Sequence, residues 1–249
     1  AREAKAMDEE RKNAEAKAIN PKVRTNSHHK GFYRKWWQLS YGRRELMDSL
    51  LSIDRYIACS QVSARPIFEF VSSHISPNAS LVVFTLEDDY SFGVIHSSLH
   101  VRWYQAKCST MKSDPRYTST SIWDTFPFPQ TPKLSDVQKV AKAAVQLREI
   151  RRQYMNELGY SLRELYRVLE SPGKHAIKTA QDQLDTAVLN AYGFKKKKSM
   201  LQQLLDLNEE VARNIASGVE VQSPGLPKSV KDPNPFLTQD CITFSTVAE

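Results

Sequence analysis

At Leu134 the chain changes character, and that change limits the folds open to it. From there to about Ser217 it reads as helix only. Leu134, Val137, Ala141, Ala144, Val145 and Arg148 fall along a long amphipathic helix that runs to about Leu158. Ser161–Glu170 reads as a second helix. Lys174–Tyr192 reads as a third, with Ile177, Ala180, Leu184, Ala187 and Ala191 on one face, and Met200–Ser217 as a fourth. Gly159, Pro172-Gly173, Gly193 and Gly218 stand between them as stop signals. Ahead of Leu134 the pattern is different. Arg55–Ser60, Pro66–Val71 and Leu81–Leu86 are short runs rich in β-branched and aromatic residues, the signature of strands. The expected class is therefore α+β: a small mixed or antiparallel sheet with helices, followed by a C-terminal helical bundle.

The N-terminal part has two pieces. Residues 1–19 are strong helix formers with only Met7 and Ile19 large and apolar, and Pro21 ends the run. A helix polar all round bridges domains or packs on another element. Residues 20–44 carry Lys22, Arg24, Lys30, Arg34, Lys35, Arg43 and Arg44 with no acid among them, interleaved with Phe32, Tyr33, Trp36, Trp37 and Tyr41. Lysine and arginine meet phosphates and rings stack on bases, so this is the composition of a nucleic-acid surface. The plain alternative is a core-edge segment whose two tryptophans pack inward. Glu45–Leu51 then reads as a short helix. The link Gln61–Arg65 fits either a hairpin turn or a longer excursion, and His74–Ser80 is a turn.

Leu86–Gln130 holds the densest local chemistry. Asp88 or Asp89 is placed to cap a helix on which Phe92, Ile95, Leu99 and Trp103 share one face. After Cys108 the pattern turns polar with a period of two, so that on a strand Lys112, Asp114 and Arg116 point one way. Ile122, Trp123, Phe126 and Phe128, with Pro127 and Pro129, close the stretch as a packed corner.

Composition narrows the function. The chain has 249 residues, 41% hydrophobic and 25% charged, an ordinary globular balance. No run approaches the ~18 apolar residues of a membrane span, and residues 1–20 lack the apolar core of a signal peptide. Cys59, Cys108 and Cys241 show no paired spacing, which fits a reducing cytoplasm. The net charge of +7 suits a polyanion partner. The chain begins at Ala1, inside what reads as a running helix, so a fragment of a longer polypeptide is expected.

Several motifs offer chemistry, and each has a plainer explanation. His96 and His100 stand at i, i+4, as in a zinc protease, but Ser97 occupies the place of the required Glu and no third ligand is evident. Two histidines on a polar helix flank is the plainer alternative. Glu87-Asp88-Asp89 fits a helix cap better than an acid/base cluster. Glu3-Ala-Lys5 and Glu15-Ala-Lys17 mimic half of a nuclease signature but fall on a polar helix. Lys195–Lys198 is a solvated loop or a phosphate clamp. Asp114-Pro115-Arg116-Tyr117 is close to the Asp-Pro-Pro-Tyr tetrapeptide of amino-methyltransferases, but its third position is Arg and the eight glycines are scattered, with no cofactor loop. No catalytic residue, cofactor site or metal site is expected in this chain.

Taken together and in order, Arg55-Tyr-Ile-Ala, Arg65-Pro-Ile-Phe, Asp88-Asp-Tyr-Ser-Phe-Gly-Val-Ile, Ser97-Ser-Leu-His, Trp103, Arg116-Tyr-Thr and Asp124-Thr-Phe-Pro-Phe-Pro-Gln resemble the MmeI-like DNA methyltransferases. These are type IIL and IIG restriction–modification enzymes and related phage-defence methyltransferases. Leu184-Asp-Thr-Ala-Val, Tyr192-Gly-Phe and Pro224-Gly-Leu-Pro resemble the family's C-terminal helical region, so the likeness covers most of residues 31–227. The resemblance implies a target recognition domain and a helical domain that clasp duplex DNA. Methyl transfer from S-adenosylmethionine to adenine N6 would belong to an upstream domain whose motifs this chain lacks. The chain alone is then expected to be inactive. The alternative is a separately encoded specificity subunit that docks on a methyltransferase. A metallohydrolase built on His96 and His100 is a third class.

The expected organisation is a polar helical linker (1–30), a target recognition domain (31–131), a helical domain (132–222) and a Pro-rich extended tail (223–249). Candidate base-reading residues are Lys112, Asp114 and Arg116. The resemblance adds the Ser63–Arg65 link, with Ser63 and Arg65. Candidate phosphate-binding residues are Lys22, Arg24, Lys30, Arg34, Lys35, Arg43 and Arg44. The expected partners are duplex DNA and a methyltransferase domain, in the same polypeptide or in a partner subunit, with no membrane.

Overall fold

The computed structural model describes residues 1–36, 42–111, 114–170, 172–173 and 175–244. They form two compact units, Ala1–Asp48 and Ser49–Glu249. The architecture is α+β, as the patterning predicts.

In the first unit α1 (Arg2–Ile19) packs on α2 (His28–Arg34), and the contacts are polar because α1 has no apolar stripe. The Glu9 carboxylate is buried and accepts the first-turn amides of α2, His29 N–H at 3.0 Å and Lys30 N–H at 2.9 Å. A carboxylate there also meets the positive end of the helix dipole. Asn26 N–H donates to Asn13 Oδ1 at 3.1 Å, and Lys30 pairs with Glu10. A third helix, α3, spans Arg44–Leu50.

The second unit is built around an antiparallel sheet of β1 (Arg55–Ser60), β2 (Glu69–Ser72) and β3 (Leu81–Phe84), in the order β2-β1-β3. Ile57 of the central strand faces Phe70 on one side and Phe84 on the other. β2 starts at Glu69, later than the expected Pro66, and β3 stops at Phe84 rather than Leu86. The single helix expected to carry Phe92 through Trp103 is two helices, α4 (Asp89–His96) and α5 (Ser98–Lys107). The break falls at Ser97, which is extended at ψ 156°. Its hydroxyl donates to Val94 O at 2.7 Å, and the next amide, Ser98 N–H, leaves the helical ladder for Asp185 Oδ1 at 2.8 Å. Side-chain spacing survives such a break, which is why periodicity does not reveal it.

A hairpin of β4 (Ser109–Met111) and β5 (Asp114–Arg116) follows, then a short turn of helix, α6 (Ser119–Ile122). The helical part has α7 (Leu134–Leu158), α8 (Leu162–Glu170), α9 (Ala176–Tyr192) and α10 (Met200–Ala216). Gly159 and Gly193 end α7 and α9 with φ of 65° and 67°, a conformation that costs other residues a Cβ clash. α7 packs on both α4 and α9. The crossing with α4 is tight enough to need Gly93, since a Cβ there would stand 2.7 Å from Val140 Cγ1. Sheet, α4, α5, the aromatic corner and the helices share one apolar core, from Ile57 and Phe68 through Phe126 to Leu184 and Leu204.

The Pro-rich segment doubles back onto the sheet. Ile242 N–H donates to Phe70 O and Ser72 N–H donates to Ile242 O, both at 2.9 Å, so the tail pairs in parallel with the outer strand β2. Just before this contact lies a buried ionic cluster. Arg55 of β1 donates to Asp89 Oδ1 at 3.0 Å and to Asp240 Oδ1 at 3.1 Å. Arg148 of α7 donates to the same two carboxylates at 2.5 and 2.8 Å, and the Thr238 hydroxyl donates to Asp89 Oδ1 at 2.9 Å. Both guanidiniums lie over the Phe70 ring.

No described helix is long and apolar enough to cross a membrane.

Candidate nucleic-acid interface

Asp114 and Arg116 stand at i, i+2 on β5 and so project from one face of the hairpin. Asp114 is exposed and Arg116 half-buried. No ion pair joins them among the described residues. Lys112, the third member of the alternation, lies outside the described residues.

The link Gln61–Arg65 is the longer excursion, and it runs directly beside β5. Ser63 N–H donates to Pro115 O at 3.1 Å, Tyr117 N–H donates to Gln61 O at 2.8 Å, and Val62 bridges Arg116 in antiparallel register. Two stretches some fifty residues apart in sequence are thus laced into one surface. Since Val62 is the cross-strand partner of Arg116, the adjacent Ser63 side chain points the other way. Its hydroxyl donates to Arg65 O at 2.5 Å and shapes the turn. Arg65 is half-buried, with its guanidinium carbon 5.6 Å from the centre of the Tyr166 ring of α8.

Beneath this surface is a layer that sequence reasoning missed. The Tyr104 hydroxyl donates to Ser63 O at 2.5 Å, and the Tyr104 ring stacks on Tyr117 with centroids 5.7 Å apart and planes 18° from parallel. The Tyr117 hydroxyl meets His100 Nε2 at 3.0 Å, while His100 Nδ1 donates to Ile95 O at 2.7 Å. A carbonyl can only accept, so Nδ1 carries the proton and Nε2 accepts from Tyr117. Burial pushes the His100 imidazole down to about 4 and the Tyr104 hydroxyl up to about 12. Both groups are therefore neutral near neutral pH. The aromatic corner braces the same layer, with Phe126 edge-on to His100 at 4.6 Å and Trp123 edge-on to Phe84 at 4.7 Å.

His96 and His100 do not lie on the polar flank expected of them. Both are buried, among Phe68, Phe92 and Phe126. His96 Nε2 pairs with the Tyr166 hydroxyl, and burial, reinforced by Arg151, holds this imidazole well below its usual range. Among the described residues no group of three or more His, Cys, Asp or Glu side chains could hold a metal. The acidic triplet divides its work. Glu87 Oε2 accepts Asp54 N–H at 3.1 Å, Asp88 caps α4 by accepting Ser91 N–H at 2.7 Å, and Asp89 anchors the ionic cluster. Tyr117, the ring that the Asp-Pro-Pro-Tyr likeness would offer to a base, is buried to 1% exposure.

In the first unit Lys22, Arg24, Arg34, Lys35, Arg43 and Arg44 are exposed, whereas Lys30 is half-buried against Glu10. Trp36 is 66% exposed rather than packed inward, and Trp37 and Tyr41 lie outside the described residues. Lys195–Lys198 is solvated, and Lys196 donates to Thr186 Oγ1 at 3.3 Å.

A polar hairpin laced to a second loop over a buried aromatic layer is what this part of the chain presents. Residues 60–130 match the sequence family described as "MmeI, target recognition domain". The chain thus carries an MmeI-like target recognition domain, and the hairpin, the link from Gln61 and the aromatic layer all fall inside it. Over 127 residues the chain is 30% identical to DNA methyltransferase A of Bacillus subtilis (strain 168), a match that takes in 49% of this chain and 13% of that protein. Among solved structures it is similar to the type IIL restriction–modification enzyme MmeI in complex with DNA. The TM-score is 0.63 at 20% identity, covering 76% of this chain and 25% of that one. The chain therefore corresponds to a minor part of each of these longer proteins, and the second likeness concerns the fold.

Proposed function

We propose that this chain reads the sequence of duplex DNA on behalf of an S-adenosylmethionine-dependent adenine N6 methyltransferase, in a restriction–modification or phage-defence role in the bacterial cytoplasm. The observation that carries this is the shared face of Asp114 and Arg116 within the MmeI-like segment. Arginine donates to guanine O6 and N7 and a carboxylate accepts from cytosine N4, so the pair covers both halves of a G·C major-groove code. Lys112 and Arg65 are assigned the same role, Ser63 shapes the 61–65 link by donating to Arg65 O, and the basic segment Lys22–Arg44 meets phosphates. Methyl transfer and S-adenosylmethionine are assigned to a separate domain of the same polypeptide, because the Bacillus methyltransferase carries its matching stretch within one much longer chain.

The test is selection of duplexes from a random-sequence pool. The wild-type chain is expected to enrich one short motif, and Asp114→Ala to relax a single base position by about 1–3 kcal/mol while the fold is unchanged. An unaltered motif in that variant would place the reading residues elsewhere. Phosphate binding is tested separately. Replacing Arg34, Lys35, Arg43 and Arg44 by Ala should weaken binding alike on all sequences and reduce the salt slope by about one for each phosphate no longer neutralised. An unchanged slope would exclude the segment as the phosphate-binding element.

A further inference from the structure

The base-reading proposal leaves unexplained how two loops so far apart in sequence keep a common register. The two backbone bonds between them, Ser63 N–H to Pro115 O and Tyr117 N–H to Gln61 O, are the rungs of an isolated bridge. β5 has only three residues, and short pairings of this kind are marginal when they stand alone. Behind the rungs stands the buried chain from Ser63 O through Tyr104, stacked Tyr117 and His100 to Ile95 O at the end of α4.

We propose that Tyr104, Tyr117 and His100 are positioning residues that lock the 61–65 link and the β4–β5 hairpin into one rigid reading surface. Three features support it. The Tyr104 hydroxyl reaches across to the backbone of the link, not to its own neighbourhood, and takes the carbonyl of the residue whose amide already holds Pro115. Tyr117 immediately follows β5, so fixing its ring through His100 fixes the strand's end. His100 in turn is tied to the core, because its second nitrogen donates to Ile95 O and its ring lies against Phe68 and Phe126. These interactions thus run from core helix to reading surface without a gap. Base recognition needs side chains held within a fraction of an ångström, and supporting shells of this kind supply that precision.

This inference rests on the reading that the two loops face DNA bases, and the experiment separates the two ideas. The probes are the duplex recovered by the wild-type chain from a random pool and a scrambled duplex of the same composition. The readouts are the affinity ratio between them and amide hydrogen exchange at Ser63 and Tyr117. Tyr104→Phe keeps the ring and removes one half-buried hydrogen bond. It should lower the ratio about fivefold and speed exchange at both amides by about as much. Tyr117→Phe should do the same independently, so a failure of one variant to fold leaves the other to decide. An unchanged ratio, or equal weakening on both duplexes, would overturn the positioning role. A wild-type chain that prefers no duplex would overturn base reading itself, and the positioning role with it. In the wild-type chain the two amides should exchange together, and unrelated rates would also overturn the proposal.

Discussion

Replacing Arg148 with leucine should cost about 3–5 kcal/mol of the stability of the Ser49–Glu249 unit, the range for breaking a buried ion pair by removing one partner. Arg148 is 3% exposed and touches Asp89, Thr238 and Asp240 together, and Arg55 closes the same ring of interactions. Arg55, Arg148 and Asp89 are buried, and the partly exposed Asp240 closes the cluster at its edge. Without Arg148, Asp89 and Asp240 share the single buried guanidinium of Arg55, and Asp240 has besides it only the solvent-exposed Arg152, so the two carboxylates are under-compensated. The penalty is the lost compensation of buried Asp89 rather than the energy of any single bond. Arg152 provides the control. It meets the same Asp240 at 3.0 Å but its side chain is 54% exposed, so Arg152→Ala should cost less than about 1 kcal/mol. Denaturant unfolding of both variants checks the contrast, and similar small losses would show that the cluster is not a structural tie. The acid response agrees in sign. Burial alone would raise the Asp240 carboxyl, but the hydrogen bonds and charge of Arg148, with Thr238 and Arg55, hold it well below its usual range. Its contribution is present above about pH 4 and is lost as the pH falls further.

The second large effect is also a titration. His100 is buried and neutral in the fold, with its imidazole pushed down to about 4, whereas in the unfolded chain it takes a proton near 6.5. Between those values the unfolded chain binds a proton that the folded chain does not, so the His100 contribution falls as the pH drops from 6.5 towards 4. That interval corresponds to about 3 kcal/mol. The whole-protein pH curve will not show it cleanly. Burial pushes the Asp88 carboxyl up to about 6 and also raises Asp185, which favours the fold as the pH falls, while His96 acts in the same sense as His100. The difference between wild type and His100→Asn isolates the one group. That difference should be largest at pH 7 and shrink by about 3 kcal/mol by pH 4. A difference independent of pH would mean that His100 is not held neutral.

What could be read from the sequence follows from the range of the interactions. The C-terminal helices were legible because their ends are local chemistry: Gly159, Gly193 and Gly218 adopt φ of 65°, 67° and 71° where other residues are strained. β1 matches its expected bounds because its β-branched and aromatic run is buried over five of six residues. Asp88 as a helix cap was legible for the same local reason. The ionic cluster was not, since Asp89, Arg148 and Asp240 are brought together only by the fold, and Asp240 sits in a segment that reads as an extended tail. The burial of His96 and His100 was hidden because Ser97 redirects the helix between them. At the candidate interface the alternation of Asp114 and Arg116 was legible from strand geometry. The lacing of Gln61–Ser63 onto β5 was not, and neither was Tyr104, which carries no local signal of its role.

On the reading proposed above, Asp114 and Arg116 face base edges in duplex DNA. A crystal structure of the chain bound to the duplex it selects tests this most directly. The hairpin is expected in the major groove, with the Arg116 guanidinium within hydrogen-bond distance of guanine O6 and N7 and the Asp114 carboxylate within the same distance of a cytosine N4. A complex in which both side chains face solvent, with the duplex bound elsewhere on the chain, would contradict it.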